Sequence, residues 1–596
     1  MDFDAERLRK FIKIEGHTSP QGASQNYFFL KRADGVPQVF TCDSPSSWPR
    51  QLTFFEEGVE NYYLSPCRSY FAVVANSSGS EHGPILLVDI KKQITKTVLQ
   101  DIDAQSGMVV WAADGSRFLF RSNIENKRDY KIYEYCLSTH SYVLKIDCEG
   151  WGYPLQYSPC GGYLLFGVAS SGANQDIYLY DISLGSSRHL TPHEGAVRYE
   201  AAFLGNHAKV LFLSDLDSDL GFKCLYLMDT ETSTVRKVGK DFEWDLSGLQ
   251  VSSDSLYYAF VVNEAGFSKL IVVDSESGSQ ELIPDVGGVL NSFVFTSAND
   301  LLISYQSPTR SSDCYCYSLR NQSFDQITYC SYQGLNRDSF IEPELIHYKS
   351  FDGLEIPAFL YLPRNYKSKT PIPMILHFHG GPEGQFRPTF YKHIQYLLQL
   401  GIGVCAPNIR GSSGYGADYM ALDDYKKRPD GIRDGSELAL YLVERGFTDF
   451  NRLGLVGGSY GGFMVLSLIT NSPNYFAAAV NVVGISNLVT FLKNTKPYRR
   501  RLREAEYGPL SDESFLQSIS PIHKISKVRT PLLVVHGSTD PRVPISEAEQ
   551  LVGEMKRLEK EVESLFFDDE GHGIRKLSNQ FTYFETMIKF FLKNLF

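Results

Sequence analysis

Short apolar strands separated by polar turns fill the first half of the chain. A strand with an apolar core follows a Ser-Pro or Asp-Gly turn, and a second strand then ends in an acidic residue, as at 63–74 and 85–89. Equivalent apolar positions of seven such units lie 43 to 48 residues apart, at Tyr27, Tyr70, Phe118, Tyr163, Val210, Tyr257 and Leu301. This period, with about four short strands per unit, is typical of a β-propeller. We therefore predict seven blades rather than a pair of β-sandwiches, which would not repeat so regularly.

From about residue 333 onward, longer apolar strands alternate with helices. The strands lie at 374–378, 403–407, 453–456 and 477–483 and in a stretch that ends at Val535. Strands that are apolar throughout are typical of a sheet covered on both faces. Their alternation with helices, such as 388–400 and 434–445, predicts a doubly wound, mainly parallel sheet. Active sites in such sheets lie at the carboxyl ends of the strands.

Length and composition set the broad class. At 596 residues the chain is too long for one core. A net charge of -11 argues against nucleic acid as the main partner. The first residues lack the apolar segment of a signal peptide, no run of 18 apolar residues occurs, and the ten cysteines show no framework spacing. We therefore expect a cytoplasmic protein with reduced cysteines and no membrane partner.

One short run, GGSYG at 457–461, carries the first chemical signal. It matches the G-x-S-x-G nucleophile elbow and lies between an apolar strand and an apolar helix. The glycines relieve crowding around a serine held in a strained turn, and the helix N-terminus favours developing negative charge. This pattern makes Ser459 the candidate nucleophile and the C-terminal part a candidate α/β-hydrolase domain.

A serine nucleophile needs a general base and an acid, which follow it in the order serine, acid, histidine in this fold. Of the later histidines, His523 precedes a strand and His536 lies in a buried strand, whereas His572 lies in a loop after an apolar strand. Asp540 follows the preceding strand, and the predicted helix 546–560 separates it from His572. We therefore predict His572 as the base and Asp540 as the acid.

The oxyanion hole requires two donors. The backbone N–H of Tyr460, directly after the nucleophile, is the first. The second is predicted from the loop HGGPEG at 379–384, which follows a strand and is close to the HGGG-type motif. Its glycines let backbone N–H groups approach an anion, and we select the N–H of Gly381.

Five ordered motifs resemble the prolyl oligopeptidase family of serine peptidases, and within it the acylaminoacyl-peptidase branch. They are HGGPEG at 379–384, PNIRGSSGYG at 407–416, GGSYGG at 457–462, HGSTDPRVP at 536–544 and EGHG at 570–573. The resemblance covers the whole chain and implies a triad of Ser459, Asp540 and His572. It also implies that Tyr460 and Gly381 are the oxyanion donors of this branch.

The same resemblance implies the division of the chain and further roles. It gives a multidomain protein with an N-terminal helix in 1–20 that packs on the hydrolase domain, a seven-bladed β-propeller over 21–332, and an α/β-hydrolase domain over 333–596. Arg542 matches an arginine that binds a substrate carbonyl. The propeller would act as a filter that admits only short peptides. We expect a homo-oligomer with peptide substrates.

Two stretches bear on substrate choice. The apolar residues Ile485, Leu488 and Phe491 lie where the family builds its S1 wall. They are followed by four arginines, Arg499, Arg500, Arg501 and Arg503. These arginines would either form a solvated face or inter-subunit ion pairs, or bind a substrate carboxylate, since the guanidinium group suits that ligand. The second reading would make the enzyme a carboxypeptidase.

The sequence therefore favours a serine peptidase of acylaminoacyl-peptidase or oligopeptidase type, with side activity on small esters. A carboxypeptidase of the same family is the alternative, and a non-catalytic propeller scaffold is the alternative from another class. Glu56-Glu57 could anchor a substrate amine, but it lies in an inter-blade link where such residues are usually solvated. We expect no cofactor and no metal.

Overall fold

The computed structural model describes residues 3–22, 26–33, 35–75, 79, 81–101, 103–219, 221–297 and 299–596. The predicted segment 1–20 includes Met1 and Asp2, which lie outside the described residues. The observed helix α1 spans Ala5–Ile12, and the side chain of Asp4 caps it by accepting from the N–H of Arg7 at 3.0 Å. Its apolar face packs on the hydrolase domain, where Phe11 meets Tyr396 with ring centroids 5.5 Å apart.

Within the described residues, the N-terminal part forms seven four-stranded antiparallel sheets, which confirms the seven-bladed propeller. Each sheet comes from four consecutive strands, so neighbouring strands are joined by short turns. The strands of the first four blades are β1 (His17–Gly22), β2 (Tyr27–Ala33), β3 (Val36–Cys42), β4 (Arg50–Gln51), β5 (Val59–Leu64), β6 (Tyr70–Ala75), β7 (Ile85–Asp89), β8 (Ile94–Leu99), β9 (Ser106–Trp111), β10 (Arg117–Ser122), β11 (Lys131–Cys136), β12 (Ser141–Ile146), β13 (Trp151–Tyr157), β14 (Tyr163–Ser171), β15 (Asn174–Asp181) and β16 (Ser186–His189).

The remaining three blades close the ring. Their strands are β17 (Tyr199–Phe203), β18 (Lys209–Ser214), β19 (Cys224–Asp229), β20 (Thr234–Lys237), β21 (Leu246–Val251), β22 (Tyr257–Glu264), β23 (Phe267–Asp274), β24 (Gln280–Leu282), β25 (Val289–Phe295), β26 (Leu301–Ser307), β27 (Arg310–Ser318) and β28 (Ser323–Gln326). The first blade packs on the seventh, where Phe29 and Leu302 share one apolar cluster and His17 bonds Asp313 at 2.9 Å. Because β1 starts at His17, the propeller begins inside the predicted segment 1–20. The polar run at 18–21 gave no apolar alternation from which a strand could be predicted.

The C-terminal part contains an eight-stranded sheet in the order β29-β30-β32-β31-β33-β34-β35-β36. The first two strands pair antiparallel, and the strands from β32 to β36 run parallel. Its strands are β29 (Glu344–Lys349), β30 (Glu355–Tyr361), β31 (Met374–Phe378), β32 (Gly403–Pro407), β33 (Leu453–Gly458), β34 (Ala478–Val482), β35 (Leu532–Gly537) and β36 (Val562–Phe567). This sheet confirms the predicted mainly parallel α/β-hydrolase domain.

Helices cover the two faces of this sheet. They are α2 (Lys392–Gln399), α3 (Ala417–Met420), α4 (Arg428–Glu444), α5 (Tyr460–Asn471), α6 (Leu488–Asn494), α7 (Pro497–Tyr507), α8 (Glu513–Ile519), α9 (Ser546–Arg557) and α10 (Leu577–Leu595). Short 3-10 turns occur at Arg337–Ser339, Ala421–Asp423, Tyr425–Lys427, Phe450–Arg452 and Pro521–Lys527. Two apolar clusters, one on each face, bury the sheet. None of the described helices combines the length and apolar character that a membrane crossing requires.

Strand register brings the predicted site loops to one edge of the sheet. Phe378 at the end of β31 lies opposite Gly457 at the end of β33, so the loop 379–384 and the nucleophile turn start side by side. In the same way Gly537 in β35 lies opposite Phe567 in β36. The loops that carry Asp540 and His572 therefore also leave the sheet as neighbours.

Candidate active site

Ser459 lies between β33 and α5 in a backbone conformation that L-residues rarely adopt, with φ 57° and ψ −118°. The flanking glycines are required by space. A Cβ on Gly457 would lie 2.3 Å from Gly461 O, and a Cβ on Gly461 would lie 2.2 Å from Phe378 O. The turn is fixed by a hydrogen bond from Ser459 N to Val482 O at 2.9 Å. Strain of this kind persists only where the surrounding structure holds it.

The catalytic cavity, as we call it, has a volume of about 360 Å³ and lies directly over this turn. It is bounded by the nucleophile turn, the loop 379–384, the ends of β34 and β35, and helices α6 and α7. Its lining residues are Gly380, Gly381, Gly458, Ser459, Val482, Val483, Ile485, Phe491, Arg503, Tyr507, Arg542, Val543 and His572. The structure thus brings Ser459, His572 and Arg542 to one cavity, as the sequence predicts.

His572 and Asp540 form a close pair beside Ser459. His572 Nδ1 lies 2.7 Å from Asp540 Oδ2, so Nδ1 carries a proton and Nε2 is left as the acceptor. The other carboxylate oxygen of Asp540 accepts backbone N–H bonds from Arg542 at 2.8 Å and Val543 at 3.0 Å. Asp540 is only 8% exposed, so its charge is fixed in place and shielded from water.

A second histidine lies behind this pair. His536 is buried in β35 and its Nε2 donates to Val543 O at 2.9 Å. The same nitrogen lies 3.5 Å from Asp540 Oδ2. Burial lowers the pKa of His536, which keeps the ring neutral. His536 therefore packs against the acid and supports the strand end from which the Asp540 loop leaves.

The loop 379–384 is oriented by His379. His379 Nδ1 lies 2.9 Å from Gly380 O and therefore donates to it, while Nε2 lies 2.9 Å from Ser412 Oγ, whose hydroxyl donates to Ile409 O at 2.6 Å. Burial lowers the pKa of His379, consistent with this neutral tautomer. In a planar trans peptide the carbonyl and the following N–H point in opposite directions. Because Gly380 O points toward His379, the N–H of Gly381 points away from it.

Arg503 holds the next peptide of the same loop. Its Nη1 donates to Gly381 O at 3.1 Å and also bonds Glu506, which lies three residues later on the same face of α7. Glu383 lies in this loop, and its carboxylate lies against Gly172 of the fourth blade, where an added Cβ would meet Glu383 Oε2 at 2.2 Å. Burial, with Glu506 and Asp424 nearby, raises the pKa of Glu383 to about 7.

The residue after the nucleophile is anchored by its side chain. Tyr460 is buried, and its hydroxyl donates to Asp423 Oδ2 at 2.9 Å. The guanidinium of Arg428 pairs with Asp423 and lies 5.1 Å from the centre of the Tyr460 ring. These contacts fix the first turn of α5, which begins at Tyr460 directly after the nucleophile.

A residue of the propeller holds the side chain of Arg542 in place. The Nε of Arg542 donates to Glu81, a residue of the second blade. Glu81 also accepts from Gln105 Nε2 at 3.0 Å and lies 3.7 Å from Arg499 Nη1. The Glu81 side chain is mostly buried between the domains. Within the described ranges the terminal nitrogens of Arg542 form no hydrogen bond, so they are available to a ligand in the catalytic cavity.

The predicted apolar wall is partly formed. Ile485 and Phe491 line the catalytic cavity, as predicted, together with Val483 and Tyr507. Leu488 is fully buried in the domain core and is not among the described residues that line the cavity, so that part of the prediction is wrong. The chain bends before α6 because the carboxylate of Glu547 accepts from the N–H groups of Ser486 and Asn487. Ile485 and Leu488 lie on opposite sides of this bend, so their spacing of three residues does not place both side chains on one face.

The four arginines do not act as one group. Arg503 lines the catalytic cavity, whereas Arg499 lines a neighbouring cavity and pairs with Glu81. Arg500 Nη2 donates to Lys493 O at 2.9 Å, and Arg501 lines a separate interdomain cavity beside Asp129. Residues three and four apart are neighbours on a helix, so Arg499 and Arg500 lie nearest to Arg503, but one pairs with Glu81 and the other bonds Lys493 O. The four arginines therefore do not form one carboxylate receptor, and of the four only Arg503 is among the described residues that line the catalytic cavity.

Some lining and positioning residues were missed from the sequence. Glu81 lies in an inter-strand loop of the propeller, and no local pattern connects it with Arg542. Val483, at φ 44°, is a β-branched residue in the left-handed region, which is a signal of strain that only coordinates reveal. His379 was part of a predicted motif, but its role in orienting Gly380 was not. Nowhere among the described residues do three His, Cys, Asp or Glu side chains come close enough to hold a metal ion.

Comparison with protein families places this site in context. Residues 388–596 match the family described as the prolyl oligopeptidase family, Peptidase_S9. The uncharacterized peptidase YuxL of Bacillus subtilis is 32% identical over 292 residues, which cover 48% of this chain and 44% of that protein. The acylamino-acid-releasing enzyme of Arabidopsis thaliana is 31% identical over 229 residues, which cover 37% of this chain and 30% of that enzyme. The matched stretches thus span less than half of these relatives' length.

Solved structures match over nearly the whole chain. A chain from a structural study of two prolyl endopeptidases has a TM-score of 0.88 at 17% identity, covering 99% of this chain and 91% of that one. The acylaminoacyl peptidase of Pyrococcus horikoshii has a TM-score of 0.76 at 19% identity, covering 100% and 98%. At such identities the likeness establishes the shared two-domain fold.

Proposed function

We propose, from the match of residues 388–596 to the prolyl oligopeptidase family, that this chain is a serine peptidase acting on short peptides. The observation that carries the proposal is the hydrogen bond of 2.7 Å between His572 and Asp540 in the cavity that Ser459 also lines. In this assignment Ser459 is the nucleophile, His572 the general base and Asp540 the acid that fixes its tautomer.

The proposed reaction runs through an acyl-enzyme. Ser459 Oγ attacks the scissile carbonyl while its proton passes to His572 Nε2, the nitrogen left free by Asp540. The carbonyl oxygen becomes an oxyanion that the N–H groups of Tyr460 and Gly381 stabilise. His572 then gives the proton to the leaving amine as the C–N bond breaks. Water, deprotonated by His572, hydrolyses the ester and restores Ser459.

The walls of the catalytic cavity suggest which parts of a peptide substrate each wall would contact. Ile485, Phe491 and Tyr507 form an apolar wall that suits an uncharged side chain next to the scissile bond. The terminal nitrogens of Arg542 could bind a backbone carbonyl of the same peptide. We favour an acylaminoacyl-peptidase or oligopeptidase activity, because acylamino-acid-releasing enzymes are among the proteins that this chain resembles in sequence. Small activated esters should also react.

A carboxypeptidase remains the second candidate because Arg503 lines the cavity. Its guanidinium already bonds Gly381 O and Glu506, so a substrate carboxylate would have to share it. Two peptides decide between the candidates: an N-acetylated peptide with a free C-terminus, and the same peptide amidated at the C-terminus. Release of the acetylated first residue from both supports our choice. Loss of cleavage on amidation, with only the C-terminal residue released, supports the carboxypeptidase.

Labelling by a fluorophosphonate tests the assignment of the nucleophile. The wild-type chain should be labelled, and Ser459→Ala should lose both labelling and peptide hydrolysis. Ser467→Ala, which removes another buried hydroxyl of the helix α5, is the matched control and should retain labelling. A wild-type chain that is never labelled would support a non-catalytic scaffold, and undiminished labelling of Ser459→Ala would place the nucleophile elsewhere.

A further inference from the structure

A second cavity of about 330 Å³ lies on the propeller side of Arg542, and we call it the propeller cavity. Its walls come from blades two to four and from α7. Arg542 lines this cavity and the catalytic cavity, so the two are adjacent. A peptide held at Ser459 could therefore extend past Arg542 into the propeller cavity. None of the reaction steps above uses this space.

The charged residues of the propeller cavity are three arginines and two glutamates. They are Glu60, Glu81, Arg121, Arg499 and Arg542. The carboxylate of Glu81 is fully engaged, because Arg542, Arg499 and Gln105 all bond or pair with it. Glu81 carries one negative charge and contacts two arginines, so the five residues leave a net positive charge in the cavity. Among the described residues, Arg121 and Glu60 are the two of the five that make no ion pair.

Arg121 presents a cation in this cavity. Its guanidinium lies 4.8 Å from the centre of the Tyr130 ring, which holds it in place without neutralising it. Within the described residues Arg121 makes no ion pair. Burial lowers the pKa of Arg121, which reflects a guanidinium that lacks full compensation. A carboxylate that enters the cavity would stabilise the charge of a cation held in this way.

Glu60 competes only weakly with a substrate carboxylate for the Arg121 cation. It forms no ion pair within the part of the chain that the structure describes, and its side chain is accessible to water. Glu60 also lines two further cavities beneath the propeller, one of which contains Arg575. The charge of Glu60 is therefore shared among solvent, Arg575, Arg542 and Arg121.

We propose that the propeller cavity is a subsite for an acidic side chain of the peptide substrate, with Arg121 as the residue that binds its carboxylate. This proposal rests on the proposed peptidase function and adds a substrate preference to it. Arg121 and Tyr130 come from the third blade, so the propeller would contribute to specificity as well as to access. A charge-assisted hydrogen bond of this kind contributes roughly ten- to hundred-fold in affinity.

Matched peptides test the preference. The parent is an N-acetylated peptide of five residues with phenylalanine before the scissile bond, and the cleaved bond is identified by mass. One series places Asp or its isostere Asn two residues before that phenylalanine, and a second series places them two residues after it. We expect one series to show a kcat/KM for Asp at least about ten-fold above that for Asn. Equal values in both series, or a preference for Lys, would overturn the proposal.

Variants then locate the preference in Arg121. The ratio of kcat/KM for the Asp and Asn peptides cancels any general loss of activity. Arg121→Gln should bring this ratio near one, Arg121→Lys should retain part of it, and Glu60→Gln should raise it. Arg188→Gln, at an exposed position of the fourth blade, is the control and should leave the ratio at its wild-type value. A ratio that is unchanged in both Arg121→Gln and Glu60→Gln would refute the role of this cavity.

The two proposals fail in different ways. If the wild-type chain labels at Ser459 and cleaves both peptides equally, only the acidic subsite is refuted. If it neither labels nor cleaves any peptide, the peptidase function itself is refuted. If Arg121→Gln does not fold, the opposite shifts expected for Arg121→Lys and Glu60→Gln still decide the matter. High salt should also reduce the Asp preference of the wild-type chain, because it screens the charge.

Discussion

The two walls of the active-site region are held together by different forces. On the hydrolase side, Ser459, Asp540 and the loop 379–384 are fixed by backbone hydrogen bonds and by close contacts that admit only glycine. On the propeller side, Arg542 depends on the carboxylate of Glu81 in another domain. The first wall is built from neighbouring strand ends of one sheet. The second requires that two domains dock correctly.

This difference separates the chemistry from the recognition of substrate. Reacting groups must be held to within a fraction of an ångström, which buried backbone contacts achieve. Recognition of a peptide tolerates a softer arrangement of charges, which salt and water can weaken. We therefore expect changes on the hydrolase wall to act on kcat, and changes on the propeller wall to act on KM. The following predictions test that division, beginning with the largest effect.

Asp540→Asn should reduce kcat by roughly 10³- to 10⁴-fold while the fold is retained. The neutral amide can no longer stabilise an imidazolium at His572, and it can hold the wrong tautomer. Steady-state kinetics on an N-acetylated peptide give kcat, and circular dichroism with a thermal scan checks the fold. Asp568→Asn changes an exposed aspartate of the loop that carries His572 and serves as the control, with kcat near wild type. Equal losses in the two variants would show that the acid is wrongly assigned.

The hydrolase wall was largely predictable from the sequence, because its signals are local. The residues 453–471 form a strand, a glycine-rich turn and a helix in one continuous stretch. The alternation of apolar strands with helices also predicts that the strand ends lie at one edge of the C-terminal sheet. The bounds of β31 and β32 agree with the predicted 374–378 and 403–407. The seven blades followed from a repeat that depends only on spacing.

The propeller wall was not predictable, because its contacts join distant parts of the chain. Glu81 and Arg542 are separated by 461 positions, and neither lies in a pattern that refers to the other. The same limit explains Leu488, since the bend before α6 depends on Glu547 on a later helix. Helix α7 illustrates a different limit. Four arginines close in sequence suggest one site, but Arg499, Arg501 and Arg503 line three different cavities.

Glu81→Gln should raise KM by roughly three- to thirty-fold with little change in kcat. The amide cannot pair with two guanidinium groups, so Arg542 loses its fixed position, whereas the Ser459 side of the cavity is unaffected. The ion pair is partly exposed at Arg542, and a contribution of about 1 kcal/mol or somewhat more is therefore expected. Initial rates over a range of peptide concentrations at low and at high salt provide the measurement. Added salt should weaken substrate binding by the wild-type chain more than by the variant.

The control for this change is Glu276→Gln, at an exposed turn of the sixth blade, which should leave KM and kcat as they are. A loss in kcat comparable with that of Asp540→Asn would remove the proposed division between the walls. It would mean that the propeller residue also holds the reacting groups. An unchanged KM would instead mean that Arg542 needs no support from Glu81.

The smallest effect concerns Glu383, where the two walls touch. Burial, then Glu506 and Asp424, raises its pKa to about 7 in the folded chain, above the ordinary value of 4.5. The folded state therefore binds the Glu383 proton more tightly than the unfolded state does. This contribution to stability is fully present below pH 4.5 and is lost as the pH rises through about 7.

Glu383→Gln is neutral at every pH and should not show that loss. The difference in Tm between variant and wild type should therefore increase from pH 5 to pH 8, by an amount equivalent to about 1–3 kcal/mol. Thermal scans at matched ionic strength measure it, with Glu276→Gln as the control whose difference stays flat. A difference that is constant or falls with pH would mean that Glu383 remains ionised against Gly172. In that case the carboxylate would be stabilised by Arg503, and the contact between the walls would resemble the Glu81 ion pairs rather than a buried neutral acid.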